Sequence, residues 1–451
     1  MSQVKIRHPI QLIKYFVFNT TWGTKEGDEH EKLIYYYAKP TMIIGADQKI
    51  SDVGLAEAVI NFGQQFGDIT ESLQGDRLRF IFHELAPNFW SSMFISESYS
   101  VHKSGEDSTH IAEYHENEIC NNFFKLKLKN IYDYFRLLNG PIEELCDRLS
   151  REEFLEKCQD FFDNYIPHIE LLPFNLIELY SSIQYLPLSN TTFMAVQSLL
   201  NCVQANDSRI DSYIFIYNDQ LVSSSLSLFD TQILYNYLTN IVIPDAVKEE
   251  ISGISNKTRW LQVDFPIYLI GHPEHRSSFR NLCLFRSING STIGLILTEF
   301  DENILKECGT LLSGRLVSLT NKLHETVTQI AKQPDSKSLT NDNSSGKDIK
   351  FIYVNYSNCA QRGNSNCRKL IDSDFTRLII DVESDLQQRF TDEQVFELIG
   401  KNMNDAWLVS RNSDYRALFA MLNYKNANLI EASDMIDAMQ NKHFKNLFFG
   451  I

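Results

Sequence analysis

Three times the chain carries the same short pattern, an apolar aromatic stretch that stops at an asparagine. The copies are Tyr15-Phe16-Val17-Phe18-Asn19, Ile214-Phe215-Ile216-Tyr217-Asn218 and Phe351-Ile352-Tyr353-Val354-Asn355. Aromatic and β-branched residues fit a pleated, buried surface, and asparagine tolerates the turn that must follow. In the second copy the turn is legible, because Asn218-Asp219-Gln220 runs directly into Leu221-Val222-Ser223, a returning strand. A hairpin-opening strand that recurs about 140 to 200 residues apart suggests one small module of sheet and helix used three times.

The length agrees. A chain of 451 residues fits two to four domains, with three as the middle estimate. Thirty Phe and twenty Tyr are too many for a disordered polymer. A net charge of −16 argues against nucleic-acid binding and against unaided attraction to an anionic membrane. Residues 1–9 lack the apolar run of a signal peptide, and no stretch approaches the roughly 20 apolar residues of a spanning helix. The expectation is a soluble protein whose membrane address comes from a partner. Eight scattered cysteines without framework spacing fit a reducing cytosol.

Along the first module, a charged loop with Trp22, Gly23 and Glu26 to Glu29 follows Asn19, and residues 33–37 read as a second strand. A helix is expected to start at Ser51 as N-cap with Asp52 in its first turn. At 100° per residue Val53, Leu55, Ala56, Val59, Ile60, Phe62 and Phe66 cover about half its circumference, wider than packing on one sheet face demands. Strands at 78–83 and 89–95 precede a long helix over about 113–138, closed by Asn139-Gly140-Pro141. Ser150 and Glu153 have capping-box spacing. The second module follows a helical connector over about 170–206. It repeats the order: a hairpin at 214–226, a helix around Asp230, strands at 265–270, 282–288 and 291–298 around the Asn289-Gly290 hairpin, and a long helix at 301–331. The third has helices expected at 375–386 and 392–402, strands at 407–410 and 418–422, and a helical tail. This gives an α+β fold with antiparallel sheets flanked by helices. The domain limits are 1–168, 169–332 and 350–451, with a polar, flexible linker at 333–349.

Reactive signatures are missing. There is no phosphate-binding glycine loop, dinucleotide fingerprint or nucleophile elbow. Proline at the centre of His272-Pro273-Glu274-His275 denies a helical ligand pair, so that segment reads as a loop and no metal or cofactor is expected. Lys125, Lys127 and Lys129 alternate beside apolar residues; they are candidate lipid-headgroup contacts, or a solvated helix edge whose stems cover apolar surface. The wide arc from Val53 to Phe66 is buried either by its own module or partly by a second chain.

Several runs resemble the Ccz-one family of vacuolar fusion proteins. In the first module these are Phe18-Asn19, Trp22-Gly23, Glu26-Gly27, Lys32-Leu33, Lys49-Ile50, Val53-Gly54-Leu55, Glu57-Ala58, Phe62, Asn88-Phe89-Trp90 and Leu138-Asn139-Gly140. Later matches are Tyr217 to Leu221, Leu234-Tyr235, Tyr237-Leu238-Thr239, Lys425 to Glu431 and Asn446 to Phe449. Their order is kept across all three modules, with no counterpart at about 98–112, 245–263 and in the linker. The resemblance implies three longin domains. It implies an obligate heterodimer with a Mon-one family protein, acting as a guanine nucleotide exchange factor for a Rab-seven type GTPase. A third regulatory subunit and peripheral attachment to late endosome and lysosome membranes belong to the same expectation. On it, Asn19, Trp22, Val53, Leu55, Val59, Ile60 and Phe62 are candidates for contact with the partner or the GTPase. The alternative is a longin-type trafficking scaffold that recruits a GTPase without exchanging its nucleotide.

Overall fold

Each aromatic strand becomes an inner strand of an antiparallel sheet. The computed structural model describes residues 6–67, 70–104, 109–114, 121–171, 176–252, 258–271, 278–287, 289–332, 348–363, 375, 379, 382, 396–401, 405–413, 415–424 and 427–444. The chain divides into two compact units, Met1–Phe174 and Asn175–Ile451.

In the first unit the elements run β1 (Ile6–His8), β2 (Gln11–Asn19), β3 (Leu33–Ala38), α1 (Ala46–Gln65), β4 (Ser72–Gln74), β5 (Leu78–Ala86) and β6 (Phe89–Ser96). They continue with β7 (Tyr99–Ser104), β8 (Thr109–Tyr114), α2 (Asn121–Asn139), α3 (Ile142–Arg148) and α4 (Arg151–Tyr165). The main sheet has the order β3-β2-β6-β5-β4, and a small second sheet the order β1-β7-β8. Both faces of β2 are covered, which is why it reads as an unbroken apolar run rather than an alternating one. Phe16 and Phe18 meet α1 on one face. On the other, Tyr15 meets Phe162 of α4 at 5.6 Å, and Phe162 stacks on Phe135 of α2 at 5.5 Å.

The second unit begins with α5 (Leu176–Leu179), β9 (Ile183–Gln184), α6 (Asn190–Gln204), β10 (Ile210–Tyr217), β11 (Gln220–Ser224), α7 (Leu228–Tyr237) and α8 (Ile243–Ile251). Then come β12 (Arg259–Leu269), β13 (Ser278–Arg286), β14 (Ser291–Leu297) and α9 (Glu302–Lys332). The last elements are β15 (Asp348–Asn355), β16 (Ala360–Gly363), β17 (Phe396–Lys401), β18 (Trp407–Ser413), β19 (Arg416–Asn423) and α10 (Leu429–His443). One sheet has the order β11-β10-β14-β13-β12 and the other β17-β18-β19-β15-β16-β9. Tyr213, Phe215 and Tyr217 pack with α6 and α9, while Phe351 and Tyr353 pack with α10.

The repeated pattern is therefore one topology used three times. Each aromatic strand pairs with the returning strand of its own hairpin and, on its other side, with a strand that leaves a second tight turn. The three asparagine ends meet that second turn alike: Thr20 N donates to Asn88 O (3.0 Å), Asn218 N to Gly290 O (3.2 Å) and Tyr356 N to Tyr415 O (2.9 Å). Asn88, Gly290 and Tyr415 all have positive φ, at 69°, 81° and 60°. At 290 glycine avoids both the strain of the positive φ and a Cβ that would lie 2.3 Å from the Asn218 Oδ1. Asn19 and Asn355 each accept the backbone N–H two residues on, at 2.8 and 3.0 Å, the side-chain turn that makes asparagine the natural terminator.

Four expectations are corrected. The helix of the first module begins at Ala46 behind Gly45, not at Ser51; Asp52 is a buried partner of Lys14 rather than a first-turn carboxylate. The segment before Asn121 is not helical at 109–114, where β8 pairs with β7, since the helical apolar spacing starts only at Phe124. Residues 396–401 form an edge strand, with the ladder from Phe396↔Asn412 to Lys401↔Trp407 overriding a weak helical pattern. The connector is not wholly helical, since it contains β9. The capping box at Ser150 and Glu153 is present. The His272–His275 loop, residues 333–347 of the linker and most of the helix expected at 375–386 lie outside the described residues.

Candidate functional site

Helix α1 carries two apolar stripes about 120° apart, as the 100° advance per residue requires. Val53, Ala56, Ile60 and Gly63 are buried, the first three against Phe16, Phe18, Phe82, Trp90 and Phe94 of the sheet. Contact at Gly63 is so close that a Cβ would lie 2.1 Å from Thr70 Oγ1. The helix is also held by charge. Lys14 Nζ lies 2.6 Å from Asp52 Oδ2, Tyr36 donates its hydroxyl to the same oxygen, and Gln48 Nε2 donates to Oδ1 at 3.1 Å. Burial, then the hydrogen bond to Asp52, raises the Tyr36 phenol well above its usual range. At the edge, Lys32 and Glu57 pair at 2.6 Å.

The second stripe faces outward. Leu55 is 43% exposed, Phe62 63% and Phe66 74%, with the two rings 4.9 Å apart. The loop entering the helix adds Met42 and a fully exposed Ile43. Among the described aromatic residues, Phe66 and Phe62 are the two most exposed large side chains, ahead of Phe193 at 45%. Together Leu55, Phe62 and Phe66 present on the order of 350 Å² of apolar surface, within the range of the largest apolar patch on a typical monomer, which is often functional.

The residues singled out from sequence thus separate. Val53 and Ile60 belong to the domain's own core and Val59 packs at its border. Asn19 is buried and shapes its turn, with its Oδ1 accepting from Thr21 N and Oγ1 at 2.8 and 2.7 Å. Trp22 packs edge-on against Phe89 and Phe154, at 6.1 and 6.0 Å, beneath the Arg151 guanidinium at 5.0 Å. Arg151 Nη2 also donates to Glu31 O at 2.9 Å, so the Trp22 loop is fastened to α4. Only Leu55 and Phe62 of that set present large apolar surface outward. Phe66 is exposed beside Phe62, and Met42 and Ile43 are exposed ahead of the opposite end of the helix; the Met42-Ile43-Ile44 run beside Pro40 was the sequence signal for the last two.

The lysines do not form one patch. Lys125 and Lys129 share a face of α2, and Lys127 lies about 200° round from Lys125. Lys125 pairs with Glu71 and Lys127 sits over the Phe123 ring at 5.5 Å. Burial, helped by Lys125 and Lys129, pushes the neighbouring His83 imidazole down to about 4. Among the described residues no group of three or more His, Cys, Asp or Glu could hold a metal ion, and no helix is long and apolar enough to cross a membrane.

Three family models match in the order of the sheets. Residues 12–140 match the first longin domain of INTU, CCZ1 and HPS4, residues 210–349 the Intu longin-like domain 2, and residues 345–439 the Intu longin-like domain 3. The three antiparallel sheets with their flanking helices are thus longin-like domains. Over nearly its whole length the chain is similar to curated proteins named vacuolar fusion protein CCZ1 homolog. The one from Nematostella vectensis is 30% identical, covering 97% of this chain and 98% of that protein. The one from Xenopus laevis is 26% identical, covering 98% of each. That from Dictyostelium discoideum is 25% identical, covering 97% and 98%. The chain belongs to the CCZ1 (Ccz-one) family.

Proposed function

We propose that the chain is one subunit of a heterodimeric guanine nucleotide exchange factor, acting in endosome maturation and in the fusion of late endosomes with lysosomes or vacuoles. Its partner is a Mon-one family protein, and its client a Rab-seven type GTPase. The complex attaches peripherally to late endosome and lysosome membranes. The observation that carries this reading is the open stripe Leu55, Phe62 and Phe66 on α1 of the first longin domain, which a second chain would cover. The family name, vacuolar fusion protein, supports the pathway.

The mechanism needs surface and no reactive group. A GTPase holds its nucleotide through phosphate and Mg²⁺ contacts under ordered switch loops. An exchange factor binds the opened, nucleotide-free form better than the loaded form, and its effect is limited by that difference. A thousandfold faster release requires roughly 4 kcal/mol of such preference. Rigid sandwiches with pinned helices suit the task, because a yielding surface would adapt to both forms and lose the difference.

The test is release of labelled GDP from purified Rab GTPases, with the chain alone, with its Mon-one partner, and with both. Accelerated release from the Rab-seven type by the pair supports the reading. Binding without acceleration would reduce the chain to a recruiting scaffold.

A further inference from the structure

Between Tyr180 and Leu186 the chain pairs with two sheets at once. On one side Ile183 and Gln184 of β9 run parallel to Ala360 and Gln361 of β16. Ile183 N donates to Cys359 O at 2.7 Å, and the buried Ser182 hydroxyl donates to the side-chain oxygen of Gln361, itself buried. The Tyr180 ring stacks on Phe419 at 6.1 Å and meets Tyr356 edge-on at 6.3 Å. All five of those partners, from Tyr356 to Phe419, lie in the third longin domain.

One residue further on, the partners change. Tyr185 bridges Leu221 of β11 in parallel, Leu186 N donates to Leu221 O at 2.8 Å, and the Leu186 side chain joins the core of the second domain. Tyr235 of α7 accepts from Gln184 N at 3.3 Å and donates to Asp219 O at 2.8 Å. Gln232 of the same helix donates to Ser181 O.

The edge strands of two sheets, β11 and β16, therefore have exposed backbone groups satisfied by one short segment. A sheet edge left open presents unpaired N–H and C=O groups, and a buried hydroxyl stripped of its acceptor costs free energy. Pulling the two domains apart would impose both penalties together. We propose that residues 180–186 act as a β-splint that welds the second and third longin domains into one rigid body, so that the covalent link at 333–347 is not what holds them together.

The test uses the full chain with a protease recognition sequence inserted after Ser344, where the second and third family matches meet. After complete cleavage, the fragment that starts at residue 345 is expected to co-elute with the remainder in size exclusion at low micromolar concentration. In an Ile183→Pro background, which removes the donor to Cys359, the cleaved fragment is expected to elute separately. The uncut variant should keep the circular dichroism of the unmodified chain. Separation in the unmodified background, or co-elution in the variant, overturns the proposal. Should Ile183→Pro fail to fold, hydrogen exchange of the unmodified, uncut chain decides. The Ile183 and Leu186 amides should exchange at least about a thousandfold more slowly than open ones, as ordered core strands do. Exchange at the open rate overturns the splint.

Discussion

Replacing Phe62 by Asp separates a contact surface from a core position with a magnitude that can be worked in advance. A phenylalanine presents about 200 Å² when fully open. At 63% exposure, roughly 130 Å² of Phe62 is available for a partner to cover. At about 25 cal/mol per Å² that cover contributes about 3 kcal/mol, on the order of a hundredfold in Kd. The aspartate adds the cost of desolvating a carboxylate with no designed counter-charge, so association should weaken by more than that factor. In the free chain Phe62 rests on Phe66 at 4.9 Å and little else is removed, so stability should change by about 1 kcal/mol or less. The assay titrates the variant against the proposed Mon-one partner and follows thermal unfolding of the same sample. Ile60→Asp is the control, because it buries a charge among Phe16, Phe82 and Phe94 and should unfold the first domain. A folded Phe62→Asp chain that binds its partner with unchanged affinity would refute the assignment of the outer stripe.

Three further outcomes follow from the same geometry. Gly63→Ala should cost about 1–3 kcal/mol in thermal unfolding of the first domain, since its methyl would meet Thr70 Oγ1 at 2.1 Å; an unchanged melting temperature would refute that contact. Asp52→Asn leaves Lys14 buried without its counter-ion and should cost about 3–5 kcal/mol, whereas Lys14→Met with Asp52→Leu should recover most of it; equal losses in both would contradict the ion-pair account. His83 is neutral in the fold, with its imidazole held at about 4 against about 6.5 in the unfolded chain. The unfolded state therefore binds the extra proton between those values. The contribution is complete above about pH 6.5 and is lost as pH falls towards 4, about 3 kcal/mol in all. Urea unfolding from pH 7 to 4 should show this slope, and His83→Gln should flatten it.

Much of the architecture is legible in the sequence. The aromatic strands, their asparagine stops, the Asn289-Gly290 hairpin and the capping box at Ser150 are local features, each fixed by dihedral preference or side-chain geometry within a few residues. The errors arose where partners distant in sequence decide. Residues 396–401 become a strand because β18 is there to pair with, and residues 109–114 because β7 is. Ser51 is a good N-cap by type, but nothing local reports that Asp52 is claimed by Lys14 and Tyr36 across the sheet.

The candidate site divides along the same line. From the sequence came a helix with more apolar surface than one sheet face can use, and periodicity alone is enough for that. Which half is spent inside could be settled only by the sheet, whose Phe16, Phe18, Phe82 and Phe94 side chains receive Val53, Ala56 and Ile60 and leave Leu55 and Phe62 to solvent. Likewise the chain determined three copies of one sandwich by itself. That two of them share the segment from Ile183 to Leu186 was the decision of the tertiary structure, because a sheet edge accepts any backbone brought to it and leaves no side-chain pattern to read.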